Sequence, residues 1–155
     1  MKIRFATIND KKACLKILDE LGTEVKQKRG VEKISTEAQR IGGKIFNEII
    51  KRKDTKIFVA EEKGKIIGLA TFYLLPNIRH GWHRGHIEDF IVHKEERNKG
   101  VGSSLMNYIK DYCKKNKVKV VKLDSGLELR NAHLFYEKHG GKHTEKMYRF
   151  DIDYS

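Results

Sequence analysis

An α/β fold, one mixed and twisted sheet flanked by helices, follows from three observations on this 155-residue sequence. Segments of alternating or β-branched apolar residues mark strands, and apolar residues at helical spacing mark helices between them. Their order is strand, two helices, a hairpin plus a strand, helix, strand, helix, strand, which packs as layers around one sheet. The helix between the strand ending at Val92 and the strand starting at Val118 serves as a crossover. Those two strands are therefore expected to run parallel in a mostly antiparallel sheet.

Lys2 to Thr7 alternates Ile3 and Phe5 against Lys2 and Arg4, a half-buried strand. Asn9 or Asp10 can cap a helix carrying Cys14, Ile17, Leu18 and Leu21 on one face, with Gly22 at its end. A second helix is predicted from Ser35 or Thr36, with Ala38, Ile41, Ile45 and Ile49 inward and a bend or break at Gly42-Gly43. Lys56 to Glu62 and Lys65 to Leu74 form a hairpin about Lys63-Gly64. Pro76 opens an irregular loop to Arg84, and Gly85 to His93 is the next strand. A helix to about Asn116 buries Val101, Leu105, Tyr108, Ile109 and Tyr112. Val118 to Leu123 is a strand, Asn131 to His139 a helix stopped by Gly140, and Met147 to Tyr154 a closing strand. Nothing in composition divides the chain, so residues 1–155 are expected to form a single domain.

A chain of this length can bury a core without metal or disulfide staples. With 39% hydrophobic and 35% charged residues it has the balance of a soluble domain. No stretch approaches the ~20 apolar residues of a membrane span, and the start lacks the apolar core of a signal peptide, so the cytoplasm is the expected location. Cys14 and Cys113 sit on separate helical patterns and are expected as buried free thiols. The net charge of +12 favours polyanions, nucleic acid or a phosphate-rich small ligand among them. Its lysines are spread along the chain rather than gathered in one stripe, so nucleic acid is the less favoured partner.

The most informative stretch is Arg97-Asn98-Lys99-Gly100-Val101-Gly102-Ser103-Ser104, where an apolar strand gives way to a helix. Glycines here allow close backbone approach, and the N–H groups of the first helical turn face an anion. A nucleotide-binding Gly-x-x-x-x-Gly-Lys-Ser/Thr string is absent, and a dinucleotide fingerprint would need glycine where Leu105 stands. Arg-x-x-Gly-x-Gly instead resembles the acyl-coenzyme A loop of the GCN5-related N-acetyltransferases. Two further segments follow that family's order: Ile87-Glu88-Asp89-Phe90-Ile91-Val92, and Arg130-Asn131-Ala132-His133-Leu134-Phe135-Tyr136-Glu137-Lys138-His139-Gly140. Within the family these segments look most like the diamine and spermidine acetyltransferases; aminoalkylphosphonate and amino-sugar phosphate acetyltransferases share a similar strand.

The resemblance implies the acyl-CoA N-acyltransferase fold with a splayed parallel strand pair, and acetyl-coenzyme A as co-substrate. Residues Arg97, Asn98, Lys99, Gly100, Val101, Gly102, Ser103 and Ser104 would hold its pyrophosphate. Phe90, Ile91 and Val92 would pair with the pantetheine arm, and Asn131 and Phe135 would line the coenzyme. An alkylamine, of pKa about 10, is neutral in only about one molecule in a thousand at pH 7, so a base is useful. Glu88 is the candidate base; Asp89 points to the opposite face if the strand is regular. Tyr136, a phenol of ordinary pKa about 10, can protonate the departing thiolate.

Trp82, His83, Glu88 and Asp89 are candidate contacts for the acceptor amine. Arg79, His80, His83, Arg84 and His86 would repel a polycation, which disfavours spermidine and favours an acceptor that also bears an anionic group, or none in particular. His80, His83 and His86 invite a zinc reading, but a loop after proline promises no fixed ligand geometry, and no metal is expected. The alternatives are a protein amine as acceptor, either lysine or an N-terminus, or a basic nucleic-acid-binding module. The last gives Asn131 and Tyr136 no reason for their placement. Family members are often dimers, so a homodimer is also implied.

Overall fold

The computed structural model describes the backbone of residues 1–29 and 36–152 and the side chains of 1–24 and 40–152. In order the elements are β1 (Lys2–Phe5), α1 (Lys11–Arg29), α2 (Thr36–Ile49), β2 (Thr55–Glu62), β3 (Lys65–Asn77), β4 (Trp82–Val92), α3 (Val101–Lys115), β5 (Val121–Leu123) and α4 (Arg130–Lys138). The chain divides into two compact units, Met1–Leu123 and Asp124–Ser155. The first holds the five-stranded sheet in the order β1-β2-β3-β4-β5, antiparallel except for the parallel pair β4 and β5 expected from the crossover. The second holds α4.

Strand alternation sends side chains to two faces. Ile57, Val59, Leu69 and Ile91 meet Cys14 and Ile17 of α1 and Phe46 of α2 in one core layer. On the other face Phe58 and Phe72 are fully buried and make edge-on contacts with Tyr112 of α3 at 5.3 and 5.8 Å. Both cysteines are buried and free, and burial pushes their thiols up to about 12 and about 11, so both stay protonated. Lys63 and Gly64 both take positive φ, the backbone a two-residue hairpin needs.

Five expectations are corrected. Helix α1 continues through Gly22 to Arg29, because the next turn is anchored: Glu24 accepts two hydrogen bonds from Arg97, at 3.0 and 2.6 Å. Helix α2 neither breaks nor bends into two elements at Gly42-Gly43, and it is rotated from the expected face. Gly43 and Phe46 face inward and Ile49 packs against the core as expected, while Ile41 and Ile45 are 43% and 47% exposed. A Cβ on Gly43 would lie 3.4 Å from Lys11 and 3.7 Å from Leu15, ordinary contact distances, so this position packs directly against α1. Ser35 and the side chain of Ala38 lie outside the described residues.

The loop expected from Pro76 to Arg84 is instead the tip of a long hairpin, with Pro76 paired to His83 and a 3₁₀ turn at Ile78–His80 closed by Gly81. Leu74 N–H points away from β4 to Asp54, and β2 begins at Thr55. Two residues on, the missing N–H of Pro76 faces that same open side and forfeits no ladder bond. Tyr108 on α3 is partly exposed rather than buried. Among the described residues the closing strand does not form: residues 141–152 carry no regular structure, and Met147, Tyr148, Phe150 and Ile152 are exposed, while the last two residues expected in it lie outside the described residues. Alternation gives a strand its faces but not a neighbour, and among the described residues no ladder takes this segment in.

Gly85 begins the parallel ladder, and a Cβ there would sit 2.4 Å from Phe72 Cζ. Phe72 is locked between Phe58 and Tyr112, so Gly85→Ala should destabilise the protein by about 1–3 kcal/mol. Thermal denaturation checks this as a fall in Tm of about 3–10 °C; an unchanged Tm would mean that the aromatic layer shifts freely.

Candidate active site

The strand β4 is not regular at its centre. Ala70 faces Phe90 and Phe72 faces Ile87, so Thr71 alone stands opposite two residues, Glu88 and Asp89. Such a bulge re-aims side chains. Past it Ile91 joins the α1/α2 core layer, whereas Ile87 pairs with Phe72 of the opposite layer. The condition for Asp89 to oppose Glu88 is therefore absent, and both carboxylates serve one face, the one covered by α1 and α2. Both raise the pKa of the Tyr73 phenol on that face, adding to the larger effect of its burial.

The two carboxylates differ in setting. Glu88 has a side chain 61% exposed, with His86 Nε2 3.1 Å from its Oε2. It lines a shallow groove with Tyr73, Leu75, Arg84 and His86. Asp89 is recessed. Thr71, only 4% exposed, donates its hydroxyl to Asp89 Oδ2 at 2.6 Å and accepts the Asp89 N–H at 2.9 Å, which satisfies the amide freed by the bulge. Burial raises the Asp89 pKa, the Thr71 hydrogen bond opposes that rise, and the Glu88 charge adds to it. Asp89, Thr71 and Tyr73 open on a cavity of about 510 Å³ under α1 and α2.

The ladder between β4 and β5 runs only from Gly85↔Val121 to Ile87↔Leu123. Phe90, Ile91 and Val92 lie on β4 beyond its end. The Val92 carbonyl accepts Arg97 Nε at 3.0 Å, and the rest of that guanidinium is held by Glu24. Arg97 therefore offers an incoming anion its backbone rather than its charge. Asn98 and Gly100 have φ of 62° and 85°, and Gly100 caps α3. Ser104 N–H is the one that closes on the Gly100 carbonyl, at 3.0 Å, so the amides of Val101, Gly102 and Ser103 belong to the open first turn. Lys99 pairs with Glu96 on the surface. An added Cβ at Gly100 would meet nothing within 4 Å. Open space, three amides and a helix dipole fit a phosphate group.

In the second unit Asn131, Phe135 and Tyr136 lie on α4, which Gly140 ends at φ 83°. Burial pushes the Tyr136 phenol up to about 12, so it is fully protonated at neutral pH. Trp82 and His83 line neither cavity. Trp82 stacks on His80 at the hairpin tip, with ring centroids 5.3 Å apart, and His83 is exposed. With His86 turned to Glu88, the three imidazoles diverge. Among the described residues no group of three or more His, Cys, Asp or Glu side chains is arranged to hold a metal ion, and no helix is long and apolar enough to cross a membrane.

Thr71 and Tyr73 escape a reading of the sequence, as do Gly42 and Phe46 of the cavity wall on α2, whereas Ile45 and Ile49 were expected inward. The available signal was two hydroxyls, Thr71 and Tyr73, inside the apolar run Ile66 to Leu75.

The sequence pattern of the acetyltransferase (GNAT) family matches residues 17–141, and the chain belongs to that family. Its members transfer acetyl groups from acetyl-coenzyme A. A glucosamine 6-phosphate N-acetyltransferase of Trypanosoma brucei brucei is 34% identical over 63% of this chain and 65% of its own length. An aminoalkylphosphonate N-acetyltransferase of Salmonella typhimurium is 23% identical over 56% of each chain. The chain thus spans less than two thirds of these relatives. The crystal structure of a transcriptional regulator from Bacillus halodurans superposes with a TM-score of 0.83 at 25% identity, covering 97% of this chain and 99% of the other.

Proposed function

We propose that this protein transfers an acetyl group from acetyl-coenzyme A to the primary amine of a small molecule, by direct attack in a ternary complex. The observation that carries this reading is the bulge at Glu88-Asp89 in a GNAT chain, which turns two carboxylates to the sheet face under α1 and α2, Asp89 at the wall of the cavity there and Glu88 in the groove that shares Tyr73 with it. The named substrates of the trypanosomal and Salmonella relatives, both small amines, support it.

Acetyl-coenzyme A supplies the acetyl group as a thioester. The amides of Val101 to Ser103, set by Gly100, are assigned to its pyrophosphate, with Asn98 and Lys99 beside them. Main chain from Phe90 to Val92 is assigned to the pantetheine arm, and an N–H there polarises the thioester carbonyl. Asp89, whose raised pKa suits a base better than an ordinary carboxylate does, takes the proton from the acceptor ammonium. Glu88 supports that raised pKa and adds attraction for the cation. Tyr136, protonated at neutral pH, gives its proton to the departing thiolate, and Asn131 and Phe135 line the coenzyme; on this reading residues 1–155 act as one domain.

The test is thiol release from acetyl-coenzyme A across amines, amino sugar phosphates, aminoalkylphosphonates, polyamines and lysine peptides. Wild type should release thiol with at least one small amine, and Tyr136→Phe should lower turnover about tenfold or more without changing coenzyme affinity. Release with lysine peptides alone, or no release with any of these amines, would overturn the reading.

A further inference from the structure

The cavity under α1 and α2 has a composition that selects among amines. Among the described residues its walls are apolar: Leu15 and Leu18 from α1, Ile45 and Ile49 from α2, Ile57 and Leu69 from the sheet. Its volume of about 510 Å³ suits a small organic molecule. On the sheet side the polar groups are Thr71, Tyr73 and Asp89, and the Thr71 hydroxyl is already engaged with Asp89 in both directions. On this side what remains for a cation is the recessed Asp89; the lining's other carboxylate, Asp19, stands on α1.

Two details show that the cavity is not a packing remnant. Gly42 lines it from mid-helix, although a Cβ there would be no closer than 4.0 Å to Leu15. Neither crowding nor a positive φ requires glycine at that position, and any side chain would favour the helix. The missing one leaves the cavity its width. Ile45 is the second detail: it lines the cavity yet is 47% exposed, so apolar surface stands ready for an apolar guest.

We propose, resting on the acetyltransferase reading above, that the acceptor is a monoamine with an apolar carbon body, an alkyl or arylalkyl amine. Its ammonium meets Asp89 and its body lies between α1 and α2. On α1 the lining carries Lys12, Lys16 and Asp19, two cations to one carboxylate, so a second cationic group on the acceptor would meet a net positive wall. A hydroxylated sugar would leave its hydroxyls against the apolar walls without partners. This replaces the anionic character suggested by the hairpin cations, of which Arg84 and His86 line the other groove and none lines this cavity.

The experiment measures kcat/KM at saturating acetyl-coenzyme A for n-propyl- to n-hexylamine, phenethylamine, glucosamine 6-phosphate, 2-aminoethylphosphonate and spermidine. Each added methylene should raise kcat/KM about fourfold until the cavity is filled. Phenethylamine should exceed the phosphorylated and polyamine substrates by at least about tenfold. Ile45→Glu, at an exposed position, should lower kcat/KM for hexylamine about tenfold or more through KM, with the coenzyme-induced rise in Tm unchanged. A flat alkyl series, or preference for the sugar phosphate, phosphonate or spermidine, overturns the proposal and leaves the acetyltransferase reading standing. Absence of release from every amine overturns both, and a retained coenzyme A shift in Tm would then show that donor binding alone survives.

Discussion

Asp89→Asn should lower kcat/KM for amine acetylation by on the order of 10²- to 10⁴-fold while leaving coenzyme A affinity unchanged. The asparagine keeps the shape and an oxygen to accept the Thr71 hydroxyl, so the bulge is retained. What it loses is the ability to take a proton. Stability gives the control. Burial raises the Asp89 pKa above that of the unfolded chain, so the folded state binds this proton more tightly. The stability it contributes is greatest at low pH and is lost as pH rises through the folded pKa. At neutral pH the ionised side chain is therefore a cost to the fold, and the amide variant should melt at the same temperature as wild type or higher. Loss of turnover without loss of Tm separates chemistry from unfolding.

The same shift sets the pH profile. The base works only when ionised, so kcat/KM should climb with pH through a value above the ordinary carboxylate range. Thr71→Val removes the hydrogen bond that restrains the shift and should move that limb to higher pH. Glu88→Gln removes the like charge and should move it lower. A loss under tenfold in Asp89→Asn would remove its role as base. A larger loss in Glu88→Gln than in Asp89→Asn would transfer the role to the exposed carboxylate.

Much of the fold was legible because its rules are local. The Lys63-Gly64 hairpin, the Gly100 turn into α3 and the parallel pair flanking that helix all follow from turn chemistry, periodicity and chain order. What escaped depended on distant partners. Gly22 looks like a stop until Glu24 is seen pinned by Arg97, 73 positions away in sequence. Of the apolar stripe Ile41, Ile45 and Ile49 on α2, Ile49 packs against the core, yet Phe46 takes the buried place opposite Cys14 and Ile17 while Ile41 and Ile45 stay exposed. The bulge at Glu88-Asp89 is the telling case for the site. Period-two alternation put the two carboxylates on opposite faces, and nothing within β4 contradicts it. The interruption is a matter of register with Thr71 on β3, so only the pairing reveals which face the carboxylates share.

Gly100→Trp should abolish the stabilisation that coenzyme A gives the wild type. For a ligand binding only the folded state at about 100 times its Kd, that stabilisation is about 2.7 kcal/mol, or a rise in Tm of about 5–10 °C for a chain of this size. Two effects of the substitution must be separated. A side chain at φ 85° costs about 1–2 kcal/mol in backbone strain whatever surrounds it, so the variant alone should melt a few degrees lower. The Cβ itself meets nothing within 4 Å, so the fold has no steric reason to fail, and the indole occupies the space before the α3 amides assigned to phosphate. Gly64 supplies the matched control, because it has φ 75° and equally open surroundings in the β2–β3 turn. Gly64→Trp should show the same loss of intrinsic Tm and keep the full coenzyme A response. If Gly100→Trp keeps that response as well, the first turn of α3 is not where the pyrophosphate binds, and the assignment of Arg97 to Ser104 to the coenzyme falls.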